Sequence, residues 1–173
     1  MNAAGGMGPR GGRGRRHVAV GTTVGPAHLE FFGSVDGIAR EKASIFEGLE
    51  PGGAAVLNGD LPTTPILREA AERHASRVVT FGAGNNNHHR LLTAELHENT
   101  TVAQARLWRM RVVFKLGATG RHYAENALAV LAAVWLLGAD RGLAVADLAS
   151  WRPSSGRGTR ELLQLDSGEE GWV

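Results

Sequence analysis

Residues 54–65 read Ala-Ala-Val-Leu-Asn-Gly-Asp-Leu-Pro-Thr-Thr-Pro, and the fold is decided there. The first four are an apolar run with no polar alternation, the pattern of a strand buried on both faces. Asn58-Gly59-Asp60 is a turn. Thr64 then reads as a helix cap with Pro65 at the first helical position, predicting a helix to about His74. Residues 78–81 (Val-Val-Thr-Phe) are a second apolar strand. Upstream, residues 17–20 (His-Val-Ala-Val) form another, followed by glycine punctuation and a helix predicted over 35–49 with Ser34 as its cap and Pro51-Gly52-Gly53 as its stop. Strand, helix, strand, helix, strand with apolar strands predicts an α/β fold with a mostly parallel sheet flanked by helices.

Beyond Gly82 the pattern changes. Residues 85–90 (Asn-Asn-Asn-His-His-Arg) read as a polar loop. From Leu91 to Leu116 the chain reads as strands and turns. Trp108, Met110, Val112, Phe114 and Leu116 recur at period two, predicting a small antiparallel β-sheet with one wet face. Residues 117–120 form a loop. A helix is expected over 123–137, closed by Gly138, and a short one around 143–150. From Pro153 the chain reads as loop, with one strand at 171–173 lacking a partner.

The chain has 173 residues, enough for one domain with a packed core. It has no Cys, so disulfides and thiolate-ligated metals are excluded. No apolar run reaches the ~20 residues of a membrane span, which favours a cytoplasmic protein. The formal net charge is +2, but four arginines of residues 1–16 lie in a stretch with six glycines and no acid. The remaining residues hold 15 of the 19 basic side chains against all 17 acidic ones. The basicity is therefore local, and residues 1–16 read as a flexible Gly/Arg-rich tail. RNA binding through that tail would show steep salt dependence. The body has no basic stripe interleaved with aromatics, which argues against nucleic acid.

Several residues invite a chemical reading. Lys42, with Ile38, Ile45 and Phe46 on the same helical face, either snorkels or is held in place for function. His28 follows the first strand at the edge where open α/β sheets bind ligands, although a lone His is more often an ordinary loop residue. Asn58 and Asp60 share that edge, where turn residues also occur for backbone reasons alone. Gly120-Arg121-His122 with Asn126 opens a helix, a place for an anion or a polar ring edge, or for plain capping. Arg157 lies in Gly156-Arg157-Gly158, a cation able to meet phosphate. His88-His89 suggests a metal, but adjacent loop side chains seldom converge on one ion.

Order and spacing say more. Val24-Gly-Pro-Ala-His-Leu-Glu-Phe-Phe-Gly-Ser34, then Ile38-Ala39 and Lys42, Ile45-Phe-Glu-Gly-Leu49, Ala55-Val-Leu-Asn58 and Gly120-Arg-His122 with Asn126-Ala-Leu-Ala129 resemble the Mur ligase central domain. The match runs through nearly the whole chain. The Phe-Gly-Ser segment, the run from Leu116 to His122 and the Gly156-Arg157-Gly158 loop resemble most the branch that joins D-alanyl-D-alanine to UDP-N-acetylmuramoyl-tripeptide.

The resemblance implies an ATP- and Mg²⁺-dependent ligase of peptidoglycan precursor synthesis, working through an acyl phosphate. Carried onto this sequence, it makes His28 a metal ligand and Lys42 a carbamylated lysine supporting a metal. It places Asn126, Arg157, Asn58 and His122 on the nucleotide side. It divides the chain into the tail (1–16), a partial ATP-binding central domain (17–152) and a linker (153–173) toward a further domain. The implied partners are the UDP-linked tripeptide, D-alanyl-D-alanine and the missing halves of a split ligase.

The sequence departs from the family in ways that shape the expectation. Neither lysine, Lys42 or Lys115, follows a glycine, so no Gly-x-x-Gly-Lys-Thr/Ser phosphate loop is present. Tyr123 stands where an Asn normally follows the His. The expectation is a fragment inactive by itself, with an exposed apolar sheet edge that promotes self-association. The alternative is a non-catalytic module with a degenerate nucleotide- or partner-binding surface.

Overall fold

A computed structural model of the chain describes residues 16–25, 32–153, 162–164 and 170–172. Strands β1 (Arg16–Gly21), β2 (Leu49–Asn58) and β3 (Arg77–Gly82) lie parallel and adjacent, with Val20 opposite Val56 and Val56 opposite Val79. Strand β4 (His89–His97) joins β3 in parallel through only two pairs, Phe81 with His89 and Gly82 with Arg90. Strands β5 (Thr100–Leu107) and β6 (Met110–Leu116) follow antiparallel. The six strands form one sheet in chain order. Since the end of β3 lies beside the start of β4, the antiparallel strands carry the sheet past the carboxyl ends of the parallel ones.

Helices α1 (Val35–Ala43) and α2 (Thr64–His74) cover one face, and α3 (Arg121–Leu136) covers the other. The period of two sorts the side chains. Ala19, Ala55 and Leu57 pack with Phe46, Leu67 and Ala71 on the first face. Val56, Val79, Phe81, Leu91, Ala103 and Ala105 pack with Ala124, Leu128, Leu131 and Ala132 on the second. Gly138, at φ +75°, ends α3 in the left-handed conformation that suits glycine. Helix α4 (Arg141–Asp147) then turns back and packs on α3.

Six expectations change. The helix expected over 35–49 ends at Ala43, and a 3₁₀ turn (Ser44–Gly48) leads into β2. Pro51-Gly52-Gly53 lies inside β2 rather than stopping a helix. Pairing with β1 jumps from Leu49 at Arg16 to Ala54 at Val18, so Pro51 and Gly52 (φ +87°) occupy a bulge where no ladder bond is required. Thr64 is the first helical residue rather than the cap, and its hydroxyl donates to the Asn58 carbonyl at 2.9 Å. The loop expected over 85–90 gives up His89 and Arg90 to β4.

The antiparallel strands are continuous with the parallel sheet rather than forming a sheet of their own. The terminal strand has a partner after all. Strands β7 (Leu162–Gln164) and β8 (Glu170–Trp172) form a two-stranded antiparallel ladder. The tail expected over 1–16 falls, except for Arg16, outside the described residues.

Candidate functional site

At the carboxyl edge of the parallel strands, Lys42 leaves α1 half-buried. Its Nζ donates to the Thr23 carbonyl just past β1, at 2.6 Å. Burial lowers its pKa. The ammonium is held by backbone instead of extending freely into water.

Asn58, at the end of β2, accepts the Asp60 N–H on Oδ1 at 2.9 Å, closing an Asx turn. The Asp60 carboxylate accepts the Ala83 and Gly84 N–H groups and the Asn87 side-chain amide. This latch fastens the β3–β4 loop to the end of β2. A Cβ on Gly59 would lie 2.0 Å from Asn87 Oδ1, so a larger residue there would displace the amide that bonds Asp60.

The second group of residues sits on α3. Leu136 and Leu137, near its end, share a groove with His17, Ala54 and Arg77 at the amino ends of the strands. Helix α3 thus runs antiparallel to β1–β3, with its first turns toward their carboxyl edge. His122 is exposed and lies on Tyr123, ring centroids 3.9 Å apart. Asn126 lines a cleft of about 530 Å³ together with Tyr123, Val130, Leu148, Trp151 and Arg152. Trp151 stands 5.2 Å from the Tyr123 ring. It is fixed from behind: its carbonyl accepts Gly117 N–H at 3.2 Å and Arg152 Nη1 at 2.9 Å.

Asn126 and Tyr123 therefore share a cleft, with His122 adjacent. Lys42, on α1, belongs to the opposite face of the sheet, and Asn58 to the strand ends. His28 and Arg157 lie outside the described residues. Trp151 and Arg152 belong to none of the sequence motifs above. Their signal was an exposed aromatic beside a cation just after a helix, which becomes informative only once α4 folds back on α3.

His88 and His89 diverge. His88 Nδ1 accepts the Thr80 N–H at 3.0 Å, on the α2 side of the loop, where Arg68 is close enough to act on it. His89 is buried against α3, its Nδ1 3.2 Å from the Leu128 carbonyl and its ring edge-on to Trp108 at 4.7 Å. Burial, above all, pushes the His89 pKa down to about 4. Among the described residues no three His, Cys, Asp or Glu side chains come together as a metal site would require.

Comparison with known proteins places this geometry. Residues 9–134 match the Mur ligase middle domain, and the chain belongs to that family. It is 32% identical over 154 residues to UDP-N-acetylmuramoyl-tripeptide–D-alanyl-D-alanine ligase of Bacillus subtilis, spanning 87% of this chain and 31% of that protein. It is 37% identical over 127 residues to UDP-N-acetylmuramate–L-alanine ligase of Mycolicibacterium smegmatis, spanning 71% of this chain and 26% of that protein. Among solved structures it resembles MurF from Acinetobacter baumannii, with a TM-score of 0.85 and 27% identity over 96% of this chain and 35% of that one. It also resembles MurF from Thermotoga maritima in complex with ADP, with a TM-score of 0.72 and 28% identity over 85% of this chain and 33% of that one. The likeness in both sequence and structure to the D-alanyl-D-alanine-adding branch supports the placement expected from the motifs. The chain spans about a third or less of the length of these relatives.

Proposed function

We propose that this chain is the nucleotide-side portion of an ATP-dependent ligase that adds D-alanyl-D-alanine to UDP-N-acetylmuramoyl-tripeptide in peptidoglycan precursor synthesis. The observation that carries the reading is the cleft on α3. Its volume is that of a small-molecule site, its walls are apolar, and it contains one convergent amide, Asn126. Tyr123 and Trp151 offer flat surfaces to a purine, and Asn126 offers a donor and an acceptor to its polar edge. The fit is to the base of a nucleotide. When bound, ATP would supply the phosphoryl group that activates a substrate carboxylate.

The described residues do not assemble a Mg²⁺ site, and no step is assigned to the ion. Lys42 would become an anionic group only on carbamylation, in which the neutral amine adds CO₂ and releases a proton, and burial favours that neutral amine. With ¹³C-labelled bicarbonate, a carbamate resonance should appear in the ¹³C spectrum and vanish in Lys42→Arg. Its absence from the unsubstituted chain would remove Lys42 from the proposal.

No lysine in these 173 residues follows a glycine, so the chain offers no phosphate loop to position the γ-phosphate. The combined expectation is nucleotide binding without turnover. Titration with a fluorescent ATP analogue should show binding that weakens about tenfold in Asn126→Ala, on the loss of one amide contact to the base. No ADP should be released. Wild-type affinity in the variant would disprove the cleft. Binding to intact ligases with no nucleotide binding would favour the alternative of a non-catalytic partner module.

A further inference from the structure

Strand register brings three arginines together on the face that α3 leaves alone. Arg90 on β4 pairs across the ladder with Arg106 on β5, and Arg106 with Arg111 on β6. Arg90 in turn lies beside Gly82, at the carboxyl end of β3. The four residues form one row across four strands. Parity sets its direction. His89 points to α3, so Arg90 points to the face occupied by α1 and α2 over the parallel strands. Adjacent strands are about 4.8 Å apart, so the three guanidinium groups start from a line about 10 Å long.

Like charges directly opposite one another on a sheet are destabilising. Bracing accounts for part of this row: Arg90 Nε donates to Ala83 O at 3.1 Å, and Arg106 Nη2 reaches Asn85 O at 3.4 Å. It leaves Arg106 Nε buried with no partner, and it leaves out Arg111, which is exposed. Among the described residues none of the three forms an ion pair. Asp60, the acid tied into the same loop, is engaged by Ala83, Gly84 and Asn87.

We propose that the Arg90–Arg106–Arg111 row is an anion site for a small oligophosphate, separate from the Asn126 cleft. Guanidinium groups pair with phosphate through parallel N–H bonds, and a chain of linked phosphates can engage several along a line where a single phosphate cannot. The same face carries Thr93, Glu95, Val102, Gln104, Val113 and Lys115; its rings are the imidazoles of His97, at the far end of β4, and His88, engaged by Thr80, and among the described residues of β4–β6 it presents no Phe, Tyr or Trp on which a base could stack. That favours an oligophosphate over single-stranded nucleic acid.

The test is calorimetric titration of the full chain with sodium tripolyphosphate at low and at physiological ionic strength. Binding should weaken with salt. It should fall about tenfold in Arg111→Gln, on the loss of one charge-assisted contact pair. The melting temperature of that variant should equal or exceed the wild-type value, since a like-charge contact is relieved. Asn126→Ala should bind tripolyphosphate as the wild type does, which separates this site from the nucleotide reading. Unchanged affinity in Arg111→Gln, equal affinity for orthophosphate, or tighter Arg111-dependent binding of an oligoribonucleotide would each overturn the proposal.

Discussion

His89 shows how one side chain reports on its surroundings. It is buried between β4 and α3, with Leu128 O accepting from Nδ1 when the proton sits there and Nε2 lacking a partner. Its pKa is about 4 in the fold and near 6.5 in the unfolded chain, so the unfolded state binds the proton more readily between those values. The stability that a neutral His89 preserves is therefore complete above about pH 6.5. It is lost as pH falls toward 4, by about 3 kcal/mol in all. Urea unfolding of wild type and His89→Gln should show a difference that depends on pH across that window and is flat above it. Parallel curves for the two proteins would contradict the account. The sequence showed the His-His pair but not its burial. Adjacent residues at a strand start point to opposite faces, and only the β3–β4 register determines which one meets α3.

Elements were legible where their residues agree with a single local pattern. The apolar runs at 17–20, 54–57 and 78–81 became β1, β2 and β3, and α3 ended before Gly138 as expected. They were illegible where tertiary pairing overrides local preference. Pro51-Gly52-Gly53 looks like a stop, and it becomes strand because β2 bulges past β1 there. The cleft on α3 was half visible. Asn126 could be found by motif, whereas Trp151 depends on α4 packing back. Helix α1 stops at Ala43, short of the apolar pattern that predicts it to 49, and its start matters more than its length. Ser34 Oγ accepts the Gly37 N–H at 3.0 Å, and α1 is only nine residues long, so tertiary contacts and this cap sustain it. Ser34→Ala should cost about 1 kcal/mol in chemical unfolding. Because Lys42 sits in the last turn of α1, the same change should speed exchange of the α1 amides first. Uniform acceleration throughout the domain would show that the cap supports the global fold only.

At the scale of the whole molecule, the two sheet edges differ in how they meet solvent. Strand β6 carries the exposed Arg111 and Lys115 on one face, charges that discourage edge-to-edge pairing. Strand β1 carries Arg16 and His17 at its start and then Val18-Ala19-Val20-Gly21, with no charge. Among the described residues its outer edge has no partner strand, since β1 pairs with β2 alone. Among the described residues no strand covers the outer edge of residues 18–21, and such an edge, flanked by partly buried valines, is a template for another strand. The purified chain should therefore associate with itself as its concentration rises, and should elute earlier from a size-exclusion column. Hydrogen exchange assigns the contact: the amides of β1 should gain protection with concentration while those of β6 do not. A single monomer peak at every concentration, with β1 exchanging at a constant rate, would mean that the edge is closed. Protection rising equally on β1 and β6 would mean that contact does not choose the uncharged edge, and the distinction between them would fail.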